Sequence, residues 1–273
     1  MIYLCTQGGI GNQLFQIAYA IKLSKLYKKK IYLHKKHLNP RGGDKRVRSI
    51  ENLGFDFPYS YKFLPNSKLI RSFYVKYLSL GTTYIDDKTK GFQFKSNNDF
   101  IIDGFFQNPI ELEEVKDDIR NVIKTKLSEL KIDKMPSNRV AIHIRRGDYI
   151  SNLAAAKSHG FVGLQYYLNA IEITASNIKE PIYDIYTDDI KWVNDNIVPI
   201  IPANIKSKEG FDSNLEFLNL MGYQNFIIAN SSFSWWAPWL NCYKDNCIVI
   251  CPKNWYANKK ECNLNKIAEW HVL

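Results

Sequence analysis

The sequence predicts an α/β protein made of two halves, each with a parallel sheet. Short apolar runs alternate with longer segments of helical period. Glycine or small polar turns follow the runs, and the polar motifs gather just beyond their ends. Strands alternating with helices form parallel sheets covered on both faces. Ligands of such sheets bind outside the carboxyl ends of the strands, so a cleft between two α/β halves is the expected site.

Residues 2–5 read as the first strand, Gly8, Gly9 and Gly11 as a turn, and residues 12–27 as a helix. Leu14, Ala18 and Ile21 share one face of that helix, with Phe15, Tyr19 and Leu26 beside it. Residues 31–34 form a second strand and complete the opening of a βαβ unit. Residues 40–100 are less legible: Arg41, Gly42, Gly43 and Asp44 read as a loop, and the aromatics from Phe55 to Tyr84 follow no clear period. A strand is expected at 100–103, then a helix at 111–130. There Val115, Ile119, Val122 or Ile123, and Leu127 or Leu130 recur at helical spacing, with acidic residues early and Lys124 and Lys126 late, as the helix dipole favours.

Met135, Pro136, Ser137 and Asn138 read as a boundary. This gives domains at 1–135 and 136–273, with the C-terminal tail able to return to the first. The second half carries strands at 140–144, 182–186, 197–201, 226–229 and 247–251. Its helices are expected at 165–176, 213–221 and 235–240.

With 45% hydrophobic and 23% charged residues, the 273-residue chain is globular rather than disordered or fibrous. It opens without a basic segment or apolar stretch of the secretory kind, and no apolar run approaches the ~20 residues of a membrane span. A cytoplasmic location is expected. The five cysteines (Cys5, Cys242, Cys247, Cys251, Cys262) fit no common zinc spacing and read as free thiols, so no metal and no cofactor is expected. The net charge of +10 is concentrated: ten Lys or Arg lie from Lys25 to Arg48, opposed only by Asp44. No nucleic-acid motif accompanies them, and no nucleic-acid partner is expected. A solvated basic face is one reading. A peripheral contact with an anionic membrane surface, or with a phosphorylated lipid-linked acceptor, is another.

Four segments carry chemistry. In His143-Ile144-Arg145-Arg146-Gly147-Asp148-Tyr149, a strand delivers two guanidiniums into a loop. Neighbours on a strand point oppositely, so one Arg suffices to meet a phosphate bidentately, and ion pairs with Asp148 or Asp188 are the structural alternative. In Tyr186-Thr187-Asp188-Asp189, a carboxylate at a strand end can accept two parallel hydrogen bonds from a base or a diol. Either Asp can instead cap the helix through Trp192. In Asn230-Ser231-Ser232-Phe233-Ser234-Trp235-Trp236, small residues before a helix expose N–H groups that attract phosphate. Ser234 can equally be a plain cap, and Trp235, Trp236 and Trp239 suit the core. In Gly8-Gly9-Ile10-Gly11-Asn12-Gln13, a turn opens a helix, and Asn12 and Gln13 can reach a sugar hydroxyl or a phosphate. It is not a G-x-G-x-x-G fingerprint.

With Asp103-Gly104-Phe105-Phe106-Gln107, these motifs stand in an order that resembles the bacterial α-1,2-fucosyltransferases, glycosyltransferase family 11. The resemblance runs from Gly8 to about Leu240. It implies a GT-B-like arrangement, with two Rossmann-like domains whose parallel sheets face a central cleft. It further implies inverting, metal-independent transfer of L-fucose from GDP-fucose to a hydroxyl, O2 of galactose being expected, on an oligosaccharide or lipid-linked glycan acceptor. The C-terminal half would hold the donor. Arg145 would take the β-phosphate with Arg146 beside it, His143 would lie close to the donor, and Asp188 would hold guanine. Asn230, Ser231, Ser232, Phe233 and Ser234 would cradle the diphosphate. Gly9, Asn12, Gln13, Asp103, Phe106 and Gln107 would line the acceptor side. Asp148 is the expected catalytic base, ahead of His143, Asp103 and His159; a dissociative route without a dedicated base is the alternative. Two rival functions are a transferase for another nucleotide sugar and a polyanion- or membrane-binding module built on the basic segment.

Overall fold

The computed structural model describes residues 1–34, 50–60, 62, 64–65, 67–89, 93–208, 210, 212–241 and 247–273, apart from the side chains of Asp148, Ala154 and Ala155. The chain divides into two compact units, Met1–Ile123 and Lys124–Leu273. Residues 124–135 thus pack in the second unit rather than the first, and the division falls inside a helix.

The first unit contains β1 (Ile2–Leu4), α1 (Ile10–Tyr27), β2 (Ile31–His34), β3 (Tyr59–Ser60), α2 (Lys68–Leu78), β4 (Thr82–Ile85), β5 (Asp99–Ile102), α3 (Pro109–Leu112) and the start of α4 (Lys116–Glu129). Its sheet is parallel throughout, in the order β3-β2-β1-β5-β4. Ile2 and Leu4 of the central strand are fully buried. The helix expected at 111–130 is interrupted. Pro109 starts α3, and a single 3₁₀ turn at Glu113–Val115 precedes α4. The segment from 55 to 84, which follows no clear period in sequence, holds β3, α2 and β4. On α2, Arg71 and Val75 point inward while Leu69, Ile70, Phe73 and Tyr77 stay exposed, so hydrophobicity does not mark the buried face.

The second unit contains β6 (Arg139–Ile144), α5 (Gly147–Ser151), α6 (Leu153–Ser158), α7 (Leu164–Asn177), β7 (Ile182–Thr187), α8 (Ile190–Asn196), β8 (Ala203–Ile205), α9 (Ser213–Leu220), β9 (Asn225–Ile227), α10 (Ser232–Leu240), β10 (Val249–Cys251) and β11 (His271–Val272). The strands are all parallel, in the order β11-β10-β9-β6-β7-β8. Counted from β6, this is the doubly wound order 3-2-1-4-5-6 of dinucleotide-binding sheets. The tail strand β11 joins this sheet through β10. The strand expected at 197–201 is instead a turn that closes α8. The N–H groups of Ile197 and Val198 bond back to Val193, and that of Ile201 bonds to Ile197. The apolar run there anchors a helix end, and the edge strand β8 follows it.

The core of this unit packs Val140, Ile142 and Ile144 of β6 and Ile185 of β7 against Tyr167, Ala170 and Ile171 of α7. Each fully buried aliphatic side chain contributes about 1.5–3 kcal/mol. Asp184 on β7 is also fully buried. It accepts from Arg139 (2.5 Å), Tyr223 (2.9 Å) and Asn204 (3.1 Å), which satisfies a charge that burial would otherwise penalise. Among the described residues, no helix is long and apolar enough to cross a membrane.

Candidate functional site

In the second sheet β6 lies between β7 and β9. From β6 the chain continues to one side, and β9 lies on the other. The crevice for a ligand in such a sheet is beyond the carboxyl ends of that pair. The His143 to Tyr149 motif lies at the end of β6, and the Asn230 to Trp236 motif at the end of β9. The structure brings them together: the His143 and Phe233 rings lie 5.2 Å apart, and the Tyr149 hydroxyl donates to the Asn230 carbonyl at 3.1 Å. Two tyrosines of α7 hold the strand ends. Tyr167 donates to the His143 carbonyl (3.3 Å), and Tyr166 donates to Ile228 (2.6 Å) and Ile250 (3.1 Å).

The two arginines diverge. Arg145 pairs with Asp188 at 3.0 Å, its guanidinium 5.9 Å from the Tyr149 ring centre. Arg146 pairs with Asp189 at 2.5 Å and lies over the rings of Phe161 and Trp192. Arg146 is thus built into the wall. Asp189 caps α8 by accepting from the Trp192 N–H at 3.0 Å. Burial acts to raise its carboxyl, but that bond and Arg146 outweigh it, so the group lies below the usual carboxylate range.

Asp188 forms the ion pair that the sequence offered as an alternative and adds two backbone bonds to it. Its Oδ1 accepts from the N–H groups of Arg146 (2.8 Å) and Gly147 (3.0 Å), while Oδ2 faces Arg145. Both oxygens of Asp188 thus bind the turn that carries Arg145. A Cβ on Gly147 would stand 3.1 Å from Asp188 Oδ2, so the turn needs a glycine for this approach.

His143 is almost fully buried, and its Nδ1 meets no partner among the described residues. Burial first, then Arg145, lowers its pKa to about 3, so the ring is neutral at working pH. Asp148 lies in the first turn of α5; its side chain lies outside the described residues. His159 is stacked 5.5 Å from Tyr149.

Ser231, rather than Ser234, caps α10 by accepting from the Phe233 N–H, and no acidic residue occupies the first turn. Ser232, Phe233 and Ser234 form that first turn, where N–H groups face outward along the helix axis. Asn230 is buried, and its amide donates to His159, Gly160 and Trp255, lacing three loops together. Ser234 is buried and donates to the Ser231 carbonyl. Their side chains build the loop rather than present themselves to a ligand. Trp235, Trp236 and Trp239 are core.

The first sheet has its own reversal point at the ends of β1 and β5. Gly8 takes a left-handed φ of 76°, and a Cβ there would meet Asn12 Nδ2 at 2.6 Å. Gly9 caps α1 with no side chain. Gln7 and Gln16 exchange two backbone-amide bonds of 3.0 Å, Gln13 donates to the Gly8 carbonyl (2.8 Å), and Gln107 donates to Asn12 (2.8 Å). Gly9, Asn12, Gln13 and Gln107 are therefore gathered in one place. Asp103 and Phe106 are not part of that surface. Asp103 is buried, bonded to Arg71 (2.6 and 2.8 Å) and to the Tyr84 hydroxyl. Phe106 is buried and stacked on Tyr19 at 4.1 Å. The aromatic–charged content of that motif serves the fold. Cys5 beside it is a buried thiol raised to about 12, by burial first and then by Asp103.

Residues that motif reading missed are those that hold the motifs: Phe161 and Trp192 around Arg146, and Asp87, which accepts from the Phe105 and Phe106 N–H groups. Glu216 on α9 is another. Burial lifts its carboxyl above the usual range despite a bond to Ser207. None sits within a recognisable spacing. Of the basic segment, Lys25 pairs with Asp118, and residues 35–49 lie outside the described residues, as does Cys242.

Residues 76–273 match the family described as Glycosyl transferase family 11. The chain is similar to two curated proteins of Escherichia coli. One is the O-antigen biosynthesis glycosyltransferase WbnK (29% identity, 96% of this chain and 97% of that one). The other is an alpha-1,2-colitosyltransferase (31% identity, 93% and 91%). Among solved structures it is similar to the NodZ alpha-1,6-fucosyltransferase soaked with GDP-fucose, at 13% identity and a TM-score of 0.49, covering 88% of this chain and 91% of that one. The family match covers well over half of the chain and includes the strand-end motifs of β5, β6, β7 and β9. The chain belongs to glycosyl transferase family 11.

Proposed function

We propose that the protein is an inverting, metal-independent transferase that moves L-fucose from GDP-fucose to a glycan hydroxyl, O2 of a galactose. The observation that carries this reading is the meeting of the motif that holds Arg145 with the start of α10 at the reversal point of the second sheet, His143 against Phe233 and Tyr149 on Asn230. A nucleoside diphosphate gains negative charge as its glycosidic bond breaks. A fixed guanidinium and the N–H groups of a helix start can stabilise that charge without a metal.

In this reading Arg145 takes the β-phosphate, and the first-turn N–H groups of Ser232 and Ser234 receive the diphosphate. Asp188 positions Arg145 instead of reading guanine. His143 remains neutral, which makes it a poor proton acceptor and suits it to packing beside the donor. Asp148 takes the proton of the acceptor hydroxyl. Gly9, Asn12, Gln13 and Gln107 offer neutral amides and backbone to sugar hydroxyls. The acceptor is a surface glycan, free or lipid-linked; the O-antigen role in the name of one relative supports this. A cytoplasmic enzyme touching an anionic membrane surface through the segment from Lys25 to Arg48 completes the reading.

A second donor is favoured by the colitosyltransferase similarity. Colitose is L-fucose without its 3-hydroxyl. A site that hydrogen-bonds that hydroxyl rejects the deoxy sugar by about 10⁴-fold, whereas an apolar contact there discriminates far less. Calorimetric titration with GDP, GDP-fucose, GDP-colitose, GDP-mannose and UDP-galactose in EDTA, with Arg145→Ala beside the wild type, tests both. Binding of GDP and GDP-fucose that is lost in the variant is expected. Preference for GDP-colitose moves the donor to the second reading, and a folded protein indifferent to guanine nucleotides overturns both. For Asp148→Asn, donor affinity should survive while turnover is lost; loss of both would make Asp148 a positioning residue.

A further inference from the structure

The helix α2 buries one side and leaves an apolar side uncovered. Arg71 and Val75 point inward, Val75 against Tyr3, Leu64 and Ile101 over the first sheet. Leu69 (84% exposed), Ile70, Phe73 and Tyr77 lie on the opposite side, and Leu80 just beyond the helix is fully exposed. At 3.6 residues per turn the four helix positions form a stripe roughly 100° wide, the width with which a surface helix ordinarily faces a core. Here it faces outward. Scattered exposed apolar residues are ordinary, but a contiguous stripe marks a contact surface.

The charge around it selects the partner. No Asp or Glu occurs between Asp56 and Asp86. The cations of that stretch fall into two sets. Lys62 faces Asp99 at 3.4 Å and Arg71 is bonded to Asp103, so both are neutralised. Lys68 and Lys76 make no ion pair among the described residues, and Lys76 lies over the Tyr77 ring at 5.2 Å, bordering the stripe. Phe73 and Tyr77 pack together at 4.8 Å. Apolar and aromatic side chains flanked by lysines, with no carboxylate, are the pattern of a helix lying in the boundary between headgroups and acyl chains of an anionic bilayer.

We infer that α2 docks the protein on anionic phospholipid bilayers, with Leu69, Phe73 and Tyr77 inserted and Lys68 and Lys76 on the headgroups. In sequence this helix is separate from the basic segment between Lys25 and Arg48 and from the strand-end motifs. It would hold the enzyme beside a lipid-linked acceptor, but it stands whether or not the donor is GDP-fucose.

The test is co-sedimentation of the full chain with phosphatidylglycerol-rich vesicles and with pure phosphatidylcholine vesicles, at low and high salt. Salt-sensitive binding to the anionic vesicles is expected. Leu69→Ser with Phe73→Ser should lower partitioning by at least roughly tenfold, and Lys68→Glu with Lys76→Glu should do likewise. These side chains are exposed, so melting temperature and turnover on a soluble acceptor should stay at wild-type values. Three results overturn the inference: no vesicle binding by the wild type, binding lost only when the lysines between Lys25 and Arg48 are replaced, or a concentration-dependent dimer that the serine variants dissolve, which would make a second copy the occupant.

Discussion

The two sheets solve the same topological problem with opposite chemistry. Each reverses its strand order at a central pair, β1 with β5 and β6 with β9, and each collects its motifs beyond the ends of that pair. In the first unit the set gathered there is neutral: Gly9, Asn12 and Gln107 are half-buried and Gln13 is buried. The ion pair of that region, Arg71 with Asp103, is buried and structural. In the second unit the charges stand at the opening: Arg145 and Asp188 are each about one-third to one-quarter exposed. Charge is spent inside the fold in one half and stands part-exposed at the strand ends in the other. That division suits hydroxyl groups on the neutral side and a diphosphate on the charged one.

The sharpest way to break this contrast is to remove the inner cation. Arg71→Ala leaves Asp103 buried without its counter-ion and should cost about 3–5 kcal/mol of stability, read by denaturant unfolding. A change under about 1 kcal/mol would show that Asp103 finds water or another donor. Arg145→Ala should do the reverse. It should lower kcat/KM by roughly 10²–10³-fold and abolish GDP binding, with little change in melting temperature; Arg145→Lys should recover only part, because an ammonium cannot match the fork.

His143 sharpens the comparison through pH. Its folded pKa of about 3 lies below its ordinary 6.5, so the unfolded chain takes up a proton that the folded chain refuses. Stability from this residue is intact above about pH 6.5 and declines as pH falls toward 3. That amounts to about 2 kcal/mol at about pH 5. Unfolding of the wild type and His143→Gln at neutral and mildly acid pH measures it, and equal losses would mean that His143 titrates normally. The smallest effect is expected on the neutral side. Asn12→Ala removes one amide bond to Gln107 and should weaken acceptor KM by about tenfold or less, about 1 kcal/mol.

The contrast also explains what could be read from sequence. In the second unit strand runs such as 140–144 and 182–186 are apolar and bounded by charged turns, so strands and motifs stood out together. A helix near α10 and a cap from Asp188 or Asp189 follow from residue types alone; which Asp caps, and that Ser231 starts α10, do not. Reading failed where an apolar run had another use. Ile197, Val198, Ile200 and Ile201 close a helix, and the aromatics from Phe55 to Tyr84 include an outward stripe that hides the period of α2. Burial is likewise not legible from a motif. Asp103, Phe106, Asn230 and Ser234 belong to functional-looking motifs, but burial turns them into supports. A spacing in sequence does not distinguish the residue that meets a ligand from the one that holds its neighbour.

The pairings that create each reversal point join distant parts of the chain: Ile2 with Phe100, and Val140 with Asn225. Neither crevice exists until the last of these contacts closes, well after the local helices can form. Such long-range parallel pairing makes slow folding the expectation. A ligand that occupies the β6–β9 crevice therefore recognises only chains whose folding has reached completion there, and it draws the remainder toward that state by mass action. Nucleotide supplied during refolding or expression should raise the yield of competent protein even before any sugar is transferred.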